Sequence, residues 1–155
     1  MEILILTTTY KKKLVTVTLK ESCLPWAKEL LNRKLILVEL MEDWGDVPRN
    51  STIQGIYVIV NVLNGQLYLG RSNDCDNRWR EHQLDLKNKI HNYKFQDAYN
   101  KFGKDSFLFA VVEECPFNDQ STIEQRYLDE LKPYEWGYNV SRNSCGIDID
   151  PTPEM

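Results

Sequence analysis

The stretch 55–71 constrains this chain more than any other. Ile56, Val58, Val60 and Val62 occupy one parity and Tyr57, Ile59 and Asn61 the other, the period-2 pattern of a strand. Asn64-Gly65 follows. It is the strongest short hairpin signal, because a type I′ turn needs two residues tolerant of positive φ. Residues 66–71 then form the return strand. A two-residue turn pairs Leu63 with Gln66, Val62 with Leu67 and Asn61 with Tyr68. Cross-strand partners share a face, and Tyr57 shares one with Asn61. Tyr57 and Tyr68 are therefore expected on the same side of the hairpin.

The next segments read as helices packed on this hairpin. Ser72-Asn73-Asp74 offers N-caps for a helix over 76–88, on which Arg78 and His82 stand four apart and share a face. Phe95, Ala98, Tyr99 and Phe102 give a second helix over 93–102 its apolar stripe, and Gly103 stops it. The dense apolar run 107–112 is a central strand. Ser121-Thr122-Ile123-Glu124 has capping-box spacing for a third helix with Ile123, Tyr127, Leu128 and Leu131 buried and Pro133 at its end. Residues 138–140 add a last short strand. The order β-β-α-α-β-α-β is that of a small α+β domain with a mixed or antiparallel sheet.

Ahead of it, residues 1–41 read as a small appended unit of ββαβ type. It holds a hairpin turning at Lys11-Lys12, a short helix capped by Ser22, and a strand over 34–40. The polar, broken stretch 42–54 is the expected linker, 55–146 the main domain and 147–155 an acidic tail.

The 155 residues carry 19 Lys+Arg against 23 Asp+Glu, a formal net charge of −4 that by itself argues against a nucleic-acid partner. The balance is uneven, however. Between Arg71 and Lys104 eight basic residues face five acidic ones, and both histidines fall there; from Asp105 onward three face eleven. A basic segment beside an acidic one is consistent with a local anion-binding surface. Four scattered cysteines without Cys-x-x-Cys spacing, and an N-terminus that lacks signal-peptide character, point to free thiols in a cytoplasmic protein. No run of 18 apolar residues is present, so no membrane span is expected.

Gly55-Ile56-Tyr57, followed by Tyr68-Leu69-Gly70, resembles the signature of the GIY-YIG nuclease family, with Leu in place of the usual Ile in the second triplet. Arg78 on the following helix, His82 four residues later, Glu124 on a later helix and Asn139 beyond it match the family's pattern in order and approximate spacing. His91 matches a position that is His in the phage homing-endonuclease branch. The resemblance covers about 55–146. It implies a metal-dependent DNA endonuclease leaving 5′-phosphate and 3′-hydroxyl ends, of homing type or compact restriction type. The alternative is a catalytically silent DNA-binding or regulatory module that keeps the fold.

Phosphodiester hydrolysis needs an activated water, charge stabilisation on the phosphoryl oxygens and a stabilised leaving oxygen. Glu124 is the matching carboxylate, so resemblance and chemistry point to one metal ion, Mg²⁺ with Mn²⁺ able to substitute. The Arg78 guanidinium suits the scissile phosphate. The resemblance makes Tyr57 the base that activates water, with Tyr68 and His82 assisting, and gives Asn139 the task of orienting Glu124 or a metal-held water. Arg71, Lys87, Lys89 and His91 are candidate contacts to double-stranded DNA. Cutting both strands from a single-site domain requires a homodimer or sequential nicks. Each residue also has a plainer role available: Arg78 pairing with Asp74 or Glu81, Glu124 completing the capping box of its helix, the tyrosines packing as ordinary strand aromatics.

Overall fold

The computed structural model describes residues 53–142 throughout, together with Leu30 and the three strand segments Leu4–Tyr10, Lys13–Leu19 and Leu37–Leu40. These segments are β1, β2 and β3. β1 and β2 pair antiparallel, from Leu4 opposite Leu19 to Tyr10 opposite Lys13. The helix expected after Ser22 lies outside the described residues except for Leu30, which is helical and buried. Residues 42–52 of the expected linker and the tail 147–155 also lie outside them.

The main sheet is built from β4 (Gly55–Asn61), β5 (Leu67–Ser72) and β6 (Phe107–Glu114), all antiparallel, with β4 central among the three. β3 adds to the far edge of β6, so the order is β3-β6-β4-β5. Every residue of β4 is buried, because helices cover both faces of the sheet. On one face Ile56, Val58, Val60, Leu67, Leu69, Leu108 and Ala110 pack against Tyr127 and Leu128 of helix α3 (Phe117–Leu131). On the other, Tyr57, Ile59, Phe107, Phe109 and Val111 meet Trp79 and Leu86 of α1 (Cys75–Lys87) and Phe95 and Ala98 of α2 (Tyr93–Phe102). Each of these fully buried large side chains contributes roughly 1.5–3 kcal/mol. The two-sided sandwich thus rests on the alternation along β4. A one-turn helix α4 (Pro133–Trp136) follows α3.

Four local expectations need correction. First, the hairpin register differs by two residues: Ile59, not Asn61, is opposite Tyr68, and Val60 is opposite Leu67. The backbone N–H of Val62 bonds Ser106 O at 2.8 Å rather than the return strand, and Asn61 Oδ1 accepts from Leu63 N at 3.0 Å. Gly65 has positive φ (83°) but Asn64 does not, so the turn is not type I′. A shift of two preserves parity, and Tyr57 and Tyr68 still share a face. Second, α3 begins at Phe117, so Ser121 and Glu124 lie inside it and no capping box exists. Gln120 holds the preceding turn in place, its Nε2 donating to Asn73 Oδ1 (2.9 Å) and toward Ser72 O (3.2 Å) and Cys115 O (3.3 Å). Third, residues 138–140 are not a strand. There a single backbone bond, Tyr138 N to Leu67 O at 2.8 Å, reaches β5, and the Asn139 side-chain amide supplies the next pair: Leu69 N donates to its Oδ1 (2.8 Å) and its Nδ2 donates to Leu69 O (2.9 Å). Fourth, Pro133 opens α4 as well as following α3, after Lys132 turns the chain in the left-handed region (φ 51°).

Candidate active site

Two glycines set how closely the tyrosines approach. A Cβ on Gly70 would fall inside the contact distance of Tyr57 Oη, and Gly70 lies directly opposite Tyr57 in the hairpin. A Cβ on Gly55 would run into Glu113 O, beside the bulge where the β4–β6 register steps between Ile56 and Tyr57. Bulges re-aim side chains, and this one sits immediately before Tyr57.

α1 carries Arg78 and His82 across the same face. Asp74 caps it, its Oδ1 accepting from Asn77 N at 3.1 Å, and Trp79 anchors it by stacking on Phe109 with ring centroids 5.0 Å apart. α3 brings in Glu124 from the opposite side of β5. The result is one cleft of about 310 Å³ lined by Tyr57, Tyr68, Arg71, Arg78 and Glu124, with Gly70, Ser72, Asn73, Phe117 and Gln120 completing its walls.

Five of the residues singled out from the sequence meet there. His82 stands immediately behind, fully buried, its Nε2 2.6 Å from Tyr57 Oη. His91 stands behind His82 at 2.7 Å, and both imidazoles lie against the Tyr68 ring. Asn139 is held by Leu69, as described, with both amide atoms engaged on β5 rather than on Glu124. Lys87 and Lys89 are exposed at the C-terminal end of α1 and beyond it, outside the cleft lining. Gln120 and Phe117 are the site residues that sequence reasoning missed. Gln120 is four residues before Glu124 and shares its buried stripe; a helix start one turn earlier would have revealed it.

The electrostatics follow from burial. Glu124 is 6% exposed, and burial pushes its carboxyl up to about 7 although Arg71 pulls it down. Arg71 Nε lies 3.2 Å from Glu124 Oε1, close enough for an ion pair, yet that oxygen makes no well-aligned hydrogen bond. Both tyrosines are raised above the ordinary phenol range by burial, with Arg78 opposing the rise in each. Burial also works against the charge of Arg78, but Tyr57, Glu81 and Tyr68 more than compensate, and it stays cationic. Its Nη1 donates to Glu81 at 2.9 Å on the exposed side, so the plainer pairing is real and coexists with its place in the cleft.

Such a set can do particular chemistry. The Arg78 guanidinium, the buried Glu124 carboxylate and the two phenols line one open cleft. No group of three or more His, Cys, Asp or Glu suited to a metal ion occurs among the described residues. A hard divalent ion that takes one protein carboxylate and fills its sphere with phosphate and water oxygens needs no such group. Glu124 lines the cleft and carries a buried carboxylate oxygen without a hydrogen bond, a donor set that fits that kind of ion.

The family model described as the GIY-YIG catalytic domain matches residues 53–139. The chain belongs to the GIY-YIG family. It is 35% identical over 102 residues to intron-associated endonuclease 1 of Enterobacteria phage T4, covering 64% of this chain and 41% of that protein. It is 33% identical over 78 residues to probable intron-encoded endonuclease 1 of Neurospora crassa, covering 50% and 24% respectively. The chain therefore spans less than half the length of these curated relatives. Two solved structures of the catalytic domain of intron endonuclease I-TevI superpose on it. The mutant form has a TM-score of 0.55 at 32% identity, covering 58% of this chain and 95% of that one. The other has a TM-score of 0.54 at 33% identity, covering 57% and 98%. The α+β reading holds, with every pairing among the described strands antiparallel. No helix among the described residues is long and apolar enough to cross a membrane.

Proposed function

We propose that this GIY-YIG chain is a metal-dependent endonuclease of homing type that hydrolyses phosphodiester bonds in double-stranded DNA, leaving 5′-phosphate and 3′-hydroxyl ends. The observation that carries it is the convergence of Arg78 and Glu124 on one cleft with the Tyr57 phenol. The intron-endonuclease relatives favour the homing type over the restriction type. Retention of every catalytic position argues against a silent module. A protein of this kind, one of whose relatives is a phage enzyme, is assigned to the cytoplasm of a bacterial or phage-infected cell.

GIY-YIG nucleases generally need a divalent metal, and we assign Mg²⁺, replaceable by Mn²⁺, to Glu124. When bound, the ion would supply positive charge to the phosphoryl group and the leaving oxygen. Arg78 binds the scissile phosphate through its planar fork of donors and remains charged throughout. Arg71 keeps Glu124 available as an anion against the effect of burial. Tyr57 orients the attacking water and takes its proton, which requires the phenol to give up its own; burial opposes that loss and Arg78 favours it. Tyr68 walls the cleft and holds the histidines edge-on. Asn139 fixes β5, and so Tyr68, rather than touching the reacting groups. The homodimer, or sequential nicking, is the means by which one cleft per chain would cut both strands.

The test is incubation of purified protein with supercoiled plasmid at low salt, with and without Mg²⁺, beside Glu124→Ala and Tyr57→Phe. Metal-dependent nicking that both variants lose is the expected result. No nicking of any mixed-sequence DNA would sink the endonuclease reading. Near-normal cleavage by Tyr57→Phe alone would remove the tyrosine as base.

A further inference from the structure

Behind the cleft a chain of hydrogen bonds runs in one direction. Its origin is a donor whose polarity cannot change, the backbone N–H of Asn92, which donates to His91 Nδ1 at 2.8 Å. That nitrogen must present a lone pair, so the proton of a neutral His91 sits on Nε2. His91 Nε2 lies 2.7 Å from His82 Nδ1. His82 Nδ1 is thereby the acceptor, and the His82 proton sits on Nε2, 2.6 Å from Tyr57 Oη. The two imidazole planes are 28° apart, with ring centroids 4.9 Å from one another. Phe95 and Tyr68 pack against His91, with ring centroids 4.8 and 5.7 Å away.

The pair stays neutral. Burial lowers both histidines, His91 to about 4; Arg78 opposes the charged form of each, and Asp85, which favours it at His91, does not prevail.

We propose that His91 is a positioning residue. It fixes His82 as the Nε2–H tautomer, so that His82 donates to the Tyr57 oxygen and the tyrosine's own proton is turned out toward the cleft. Two consequences follow. His82 is not the group that receives the Tyr57 proton; it stabilises the oxygen that is left when that proton departs through the cleft. His91 acts through His82 and not as a DNA contact. The significance for cleavage rests on the endonuclease reading, but the hydrogen-bond direction does not.

The experiment separates the two. The chain contains two histidines, so ¹⁵N-edited NMR of the imidazole nitrogens is readily assigned, and it is run on the protein alone, without metal or DNA. Both histidines are expected as Nε2–H tautomers at neutral pH. His91→Gln, whose amide can donate to His82 Nδ1, keeps His82 in that form; His91→Leu releases it. In single-turnover nicking of supercoiled plasmid with Mg²⁺, His91→Leu is expected to cut at least about tenfold slower at saturating protein. Its affinity for a mixed-sequence duplex stays within about twofold of the parent, and His91→Gln recovers most of the rate. An Nδ1–H tautomer at His82 in the unaltered protein overturns the proposal whether or not the protein cleaves DNA. So does a His91→Leu variant that binds DNA more weakly yet cuts at the full rate once saturated. If the Leu variant does not fold, the spectra of the unaltered protein and of His91→Gln still decide. A protein that never nicks DNA removes the endonuclease reading and leaves the spectrum to judge the chain of hydrogen bonds.

Discussion

Glu124→Gln should make the protein more stable and inactive at once. The Glu124 carboxyl is raised from 4.5 to about 7 by burial, even with Arg71 beside it. The unfolded chain releases this proton near its ordinary value while the folded chain holds it to about 7. Stability contributed by this group is therefore present below about 4.5 and is lost as pH rises through that window. A shift of that size corresponds to about 3 kcal/mol at 1.36 kcal/mol per pH unit. Local relaxation around the buried charge reduces that penalty, so about 2 kcal/mol is the better expectation. Gln keeps the shape and cannot ionise. Its amide inherits the poorly bonded oxygen position, so that cost largely cancels between the two proteins. Arg71, whose side chain is 24% exposed, meets water once the ion pair is gone. For a chain of this size about 2 kcal/mol raises Tm by roughly 4–8 °C. Thermal unfolding followed by circular dichroism should show that gain near pH 8 and little of it near pH 5. Added Mg²⁺ should raise the Tm of the parent protein and leave the variant unmoved. Nicking should fall by at least about 10²–10³-fold. A variant less stable than the parent near pH 8, or a gain of equal size at both pH values, would refute the claim that an ionised buried carboxylate is held there at a cost.

Three other outcomes follow from the geometry. Gly70→Ala forces a methyl against Tyr57 Oη, and should cost about 1–3 kcal/mol in thermal unfolding as well as most of the cleavage rate. Asn139→Ala removes both hydrogen bonds to Leu69 and leaves two backbone groups without partners, so denaturation should show a loss of about 2–4 kcal/mol. Asn139→Asp, which keeps the acceptor and sets a carboxylate against Leu69 O, should do no better in the same measurement. Lys87→Ala and Lys89→Ala should weaken duplex binding alike on every sequence and each lower the slope of log affinity against log salt by about 1, read by fluorescence anisotropy; unchanged slopes would remove these lysines from the DNA surface.

Much of this was legible in the sequence wherever a pattern repeats locally. The parity of Ile56, Val58 and Val60 against Tyr57 and Ile59 places the two tyrosines on one face, and it survives a register error of two because the side-chain period is two. The stripe Phe95, Ala98, Tyr99 and Phe102 gives α2 its bounds as observed. What was not legible depends on partners far along the chain. The hairpin register turns on Val62 N reaching Ser106 O, and the start of α3 on Gln120 reaching the end of β5. Residues 138–140 carry strand-like composition, yet beyond the one bond from Tyr138 N to Leu67 O a side-chain amide replaces the backbone ladder there. The His82–His91 contact depends on the reversal after α1, where Lys89 takes φ 62°.

The charge follows the same division between local and distant information. A net −4 describes the whole chain, whereas the cleft holds Arg71 and Arg78 against a carboxylate whose own proton affinity is raised. The field at the site is set by which few charges the fold gathers, not by their total. The two signature triplets make the point most directly. Written as a string they are two independent matches, each explicable as an ordinary strand aromatic beside a glycine. In the folded chain the glycine of the second lies opposite the tyrosine of the first, and its missing side chain is the space that the phenol occupies. The motif is thus one packing unit. A change in either half is felt at Tyr57 Oη, the atom on which the His82 bond and the cleft converge.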